Sequence, residues 1–101
     1  PAAPDSAPTP PRLRPAALAA ERLRVDTEFF AGVSEVMVDS AGDLLVRWGT
    51  APQVTFRLAL PVDPRRLREG LVVLGDALER FPDRTPREVD LRFVEQVVVD
   101  F

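Results

Sequence analysis

A chain of 101 residues with net charge −3 has room for one hydrophobic core and carries no basic field suited to nucleic acid. It contains neither Cys nor His, which excludes disulfides, thiolate nucleophiles, zinc–sulfur sites and the commonest general base. A hydrophobic share of 46% against 29% charged is the balance of a soluble folded domain, not of a disordered tail.

Residues 1–15 contain Pro1, Pro4, Pro8, Pro10, Pro11 and Pro15 among Ala, Ser and Thr. Proline donates no ladder hydrogen bond and biases its predecessor towards extended backbone, so this segment reads as a linker or arm. No run approaches the roughly eighteen apolar residues of a membrane span. The chain begins at Pro1 and is expected to be part of a longer protein whose anchor or targeting segment lies outside it.

The globular part is expected over residues 16–101. From Ala16 the sequence turns to strong helix formers, with Pro15 suited to the first turn. Leu18, Val25 and Phe29 fall on one face at spacings of seven and four, and the helix is expected to break between Val25 and Gly32. Three strands follow as a meander. The first covers Val33–Asp39, and Ser40 to Asp43 supply turn chemistry. The second covers Leu44–Trp48, with Leu44, Val46 and Trp48 facing inward. The third covers Val54–Leu60, with Val54, Phe56, Leu58 and Leu60 on the same side.

Asp63 then caps the clearest helix, Pro64 occupies its first position, and Arg65 and Glu69 stand at i,i+4. Leu67, Leu71, Leu74, Leu78 and Phe81 form its apolar stripe. Gly70 and Gly75 each weaken it by about 1 kcal/mol relative to Ala, so packing on a sheet has to hold it. After Phe81-Pro82-Asp83, two short strands close the chain, Arg87–Phe93 and Gln96–Phe101. The expected fold is α+β: a five-stranded antiparallel sheet, bent or partly mixed, packed against two helices.

The final strand is the most suggestive element. Val97-Val98-Val99 is β-branched, and at a sheet edge one row of its backbone N–H and C=O groups is open to another chain. The competing reading is a central strand buried on both faces. Arg92 shares outward parity with Asp90, either as a solvated cross-strand charge or as a bidentate grip on a partner carboxylate. Phe93 shares parity with Val89 and Leu91, which points it to the core or its rim. The sixteen carboxylates contain no pair placed for acid–base work, and neither a phosphate loop nor a calcium loop is present. The chain therefore reads as an interaction module and not an enzyme, with no cofactor and no metal.

The order meander, Leu60-Pro-Val-Asp-Pro helix, Val89-Asp90-Leu91-Arg92-Phe93 and valine strand resembles the C-terminal β domain of the bacterial division protein family FtsQ, also called DivIB. The resemblance covers about residues 16–101 and is most specific at Asp90 to Phe93 with Val97 to Val99. It implies a non-enzymatic scaffold on the extracytoplasmic, periplasmic side of the inner membrane, anchored by a single span outside this chain. It implies recruitment of FtsB, which travels with FtsL, by strand addition. By position, Arg92, Phe93, Glu95 and Gln96 surround the last turn, and Val97, Val98, Val99, Asp100 and Phe101 form the partner-pairing strand. Val98→Pro is then expected to abolish partner binding in a folded domain. The chain departs from the family in having Ala59-Leu60 where a Gly is usual, and a proline arm where a POTRA domain is usual. The alternative is an envelope assembly or secretion-system domain using the same edge for another client or for self-association.

Overall fold

The computed structural model describes residues 18, 19, 21–50 and 52–101. The expected proline-rich linker at 1–15 lies outside the described residues. In chain order the elements are helical residues 18, 19 and 21–23 (α1), α2 (Thr27–Ala31), β1 (Val33–Val38), β2 (Leu44–Trp48), β3 (Val54–Leu58), α3 (Pro64–Arg80), β4 (Glu88–Asp90) and β5 (Val98–Asp100). The domain is therefore α+β with three helices among the described residues, one more than expected.

The additional helix comes from a break that the apolar spacing does not reveal. α1 ends at Leu23, and Asp26 starts α2, its side chain accepting from the Phe29 N–H at 3.1 Å. A face extrapolated through such a break loses phase. Phe29 is buried as expected, but Leu18 and Val25 are exposed, and Ala19 and Leu23 are buried in their place.

The strands lie in the order β1-β2-β3-β4-β5. The β1–β2, β2–β3 and β4–β5 pairs are antiparallel, and β3–β4 is parallel. The sheet is thus mixed, and the cause is α3. Its 17 residues rise about 25 Å, which carries the chain back past the start of β3 before β4 begins. The closing strands are shorter than expected, because residues 91–97 leave the ladder to form a loop.

One face of the sheet is covered. Leu44, Val46, Val54, Phe56, Leu58 and Val89 point into a core closed by Leu23, Phe29, Leu67 and Leu74. Each such side chain contributes about 1.5–3 kcal/mol by leaving water. Phe29 meets Phe56 edge-on at 4.9 Å between centroids. Trp48 lies 5.9 Å from Phe56, and its Nε1–H donates to the Phe29 carbonyl at 2.7 Å, so a half-buried indole is satisfied. On α3 the buried stripe is Leu67, Gly70, Leu74 and Ala77; Leu78 and Phe81 sit half exposed at its flank. The Asp63 cap and Pro64 start are as expected. The expected Arg65–Glu69 pair is not formed: Arg65 turns back to Asp63, and Glu69 pairs with Arg66.

The opposite face carries charge. Arg57 bridges Asp39 and Glu88, at 2.8 Å each, and Arg92 bridges Asp43 at 2.9 Å and Asp90 at 2.7 Å. The turn after β1 is thereby tied to β3, to β4 and to the loop beyond it. Asp39 also closes its own turn, accepting from the Ala41 and Asp43 N–H groups, with Gly42 at φ +90° supplying the left-handed position.

Candidate functional site

The sheet order leaves β1 and β5 as its two edges. The β1 edge is irregular, with a shift in register between Val33 and Glu35, a feature that discourages further pairing. β5 is bonded to β4 on one flank, and no described strand lies on the other.

The parallel β3–β4 pairing decides which backbone groups face that open flank. The Thr55 N–H donates to the Arg87 carbonyl at 2.9 Å, and the Leu91 N–H donates to the Arg57 carbonyl at 2.8 Å. The odd-numbered residues of β4 therefore bond towards β3, and Glu88 and Asp90 bond towards β5. Their partners in register are Asp100 and Val98. The Asp100 carbonyl faces the β4 side, accepting at 2.8 Å from the N–H of Arg87, the residue that precedes β4. By alternation the N–H and C=O of Val99 face outward. Proline at Val98 would thus remove a bond inside the domain, and Val99 is the position that isolates the open flank.

Side-chain placement follows the same alternation. Val97, Val99 and Phe101 are half buried on the α3 side, and Val98 and Asp100 face the other way. Phe101 packs edge-on against Phe81 at 5.5 Å, and the Arg84 guanidinium lies 5.6 Å from both ring centroids. A strand added beside β5 would therefore meet an apolar, aromatic-backed edge on one face and charge on the other.

The loop before β5 holds the remaining expected site residues. Leu91 is buried, whereas Phe93 is 47% exposed at the rim. Glu95 and Gln96 are exposed, and Glu95 adopts the left-handed conformation at φ 61°. Arg92 spends its planar fork inside the molecule: Nε and Nη2 both donate to the Asp90 carboxylate, and Nη1 donates to Asp43. Burial pushes the Asp90 carboxyl up, but the Arg92 guanidinium and the Arg92 backbone N–H outweigh it and hold it below its ordinary value. Arg92 is raised, chiefly by its hydrogen bonds to Asp90 and Asp43. A grip on a partner carboxylate would have to compete with these internal partners.

Two anchors of this edge, Arg66 and Phe81 with Arg84, are not legible in the sequence. Arg66 donates from Nη2 to the carbonyls of Phe93 at 2.6 Å and Gln96 at 2.7 Å. It lines a cleft of about 600 Å³ between the start of α3 and the loop, together with Leu58, Pro61, Leu91 and Phe93. Its contacts are tertiary, and no spacing in the chain signals them. In the sequence Phe81 reads as part of the helix stripe, and only the return of β5 alongside α3 makes it a neighbour of Phe101.

Among the described residues no group of three His, Cys, Asp or Glu side chains is arranged to hold a metal ion, and no helix is long and apolar enough to cross a membrane. No family model, curated protein or solved structure matches the chain.

Proposed function

We propose that this domain is a non-enzymatic scaffold module that binds its partner by strand addition to β5, in the manner of the FtsQ/DivIB β domain. Its clients are the FtsB–FtsL pair, met on the extracytoplasmic side of the inner membrane, with the anchor supplied outside this chain. The observation that carries the reading is the outward-facing backbone of Val99 on an edge strand that is ordered before any partner arrives. The Val89-Asp-Leu-Arg-Phe93 stretch next to it supports the choice of family.

The energetics suit such a role. Main-chain bonds along the flank set register and supply part of the affinity, and Phe93, Val98 and Phe101 give the side-chain selectivity. A preformed edge lowers the ordering cost that a disordered segment would incur on binding.

Titration of the isotopically labelled domain with a soluble FtsB–FtsL ectodomain pair tests the reading. The Val99 amide, open in the free domain, is expected to gain protection from exchange, while the Val98 and Asp100 amides, already bonded to β4, change little. Protection confined to β1, or to the exposed face of α3, would refute it. Self-association through the same flank would appear as the same protection rising with domain concentration and no added partner.

A further inference from the structure

We infer that Arg66 is the positioning residue of the terminal edge: its guanidinium fixes the loop before β5 and so decides which residues of β5 present their N–H groups outward. The effect on a partner rests on the strand-addition reading above; the effect on β5 itself does not.

β5 is only three residues long, too short to secure its own register by ladder bonds alone. The loop at 91–97 lies outside the ladder, so its carbonyls lack strand partners. Arg66 supplies them from the first turn of α3, with a side chain only 15% exposed. The Nη2 group carries two hydrogens, which the short bonds to Phe93 and Gln96 use; the Leu91 carbonyl, at 3.4 Å, is a weaker third contact. Nη1 is held from behind by the Glu69 carboxylate. One rigid fork thus gathers both ends of the reversal around Glu95.

The far end of β5 is held by the same helix. Phe101 rests on Phe81, and Arg66 and Phe81 stand about 22 Å apart along the α3 axis. The helix therefore acts as a splint along the ribbon. A slip of one residue would turn Val97, Val99 and Phe101 to the charged face and turn the Val99 N–H away from the open flank. Arginine suits the site because Nη2 meets two carbonyls while Nη1 holds Glu69, three partners that an ammonium point charge on a flexible stem gathers less well.

Arg66→Ala and Arg66→Lys in the whole domain test this. Amide exchange is read at Val98 and Asp100, with Val46 and Phe56 as core references, and affinity is read against the soluble FtsB–FtsL ectodomain pair. Arg66→Ala is expected to speed exchange in β5 by on the order of tenfold, leave the core references unchanged, and weaken affinity by a similar factor. Arg66→Lys should restore part of both. Unchanged β5 exchange, or core amides accelerated equally, would overturn the assignment whatever the partner does. Faster β5 exchange with undiminished affinity would overturn the claim that Arg66 presents the edge. Normal binding by a Val99→Pro control would instead refute strand addition and leave the exchange result standing.

Discussion

Gly32 and Trp48 are in contact across the start of the sheet, so closely that a Cβ built on Gly32 would lie 2.3 Å from the indole Cε2. The backbone at Gly32 is ordinary, with φ −91° and ψ −6°. Space, and not conformational freedom, is what this position requires. Gly32→Ala must displace an indole that is tied to the Phe29 carbonyl and packed on Phe56. It is expected to cost about 2–3 kcal/mol of stability. Chemical denaturation followed by Trp48 fluorescence checks this; a variant as stable as the parent would mean the indole has room to move.

The two glycines of α3 should respond in opposite directions. A Cβ on Gly70 would meet Leu91 Cδ1 at 2.8 Å and Phe56 Cε2 at 3.1 Å, whereas one on Gly75 meets nothing within 4 Å. Gly75→Ala is expected to gain about 1 kcal/mol from helix propensity alone. Gly70→Ala gains the same propensity but overpacks the helix–sheet contact, for a net loss of about 1 kcal/mol. Thermal unfolding of both variants decides it, and equal stabilisation would show that α3 does not sit as tightly on β3 and β4.

These glycines also mark what the sequence could tell. The period-two pattern placed β2 and β3 and named Leu44, Val46, Phe56 and Leu58 as inward, and the Asp63-Pro64 start placed α3, because each signal is local. Gly70 read only as a weak point of the helix; its packing against Leu91 depends on β4 lying parallel to β3, which no local pattern encodes. The orientation of the Val99 amide follows from the same pairing. It cannot be read from a run of three valines, which is why the sequence alone points to Val98→Pro and not to Val99→Pro. Arg66 was likewise visible only as one cation among thirteen.

Acid sensitivity follows from the charged face. The Asp39 carboxyl is held below its ordinary value first by the Asp43 backbone N–H and then, against the opposing effect of burial, by Arg57. Asp90 is lowered by Arg92, which outweighs burial. A carboxylate whose folded pKa is depressed contributes stability that is fully present above its unfolded value, about 3.9, and lost as pH falls through the folded value. The melting temperature should therefore be flat between about pH 7 and pH 5 and fall below about pH 4. Asp90→Asn should lower it at neutral pH and shallow the acid slope. Parallel acid profiles for the parent and Asp90→Asn would show that Asp90 does not contribute to the acid sensitivity.

Strand addition at this edge depends on one backbone N–H, that of Val99. Val99→Pro deletes it, and Val99→Ala keeps it while losing more of the side-chain packing, so the two variants separate ladder from packing. Affinity for a soluble FtsB–FtsL ectodomain pair, measured by calorimetry on both variants after their unfolding midpoints confirm a folded domain, is the most direct test. Strand addition predicts that Val99→Pro weakens binding by on the order of a hundredfold and Val99→Ala by less than about tenfold. Equal affinity for the parent and Val99→Pro would contradict it.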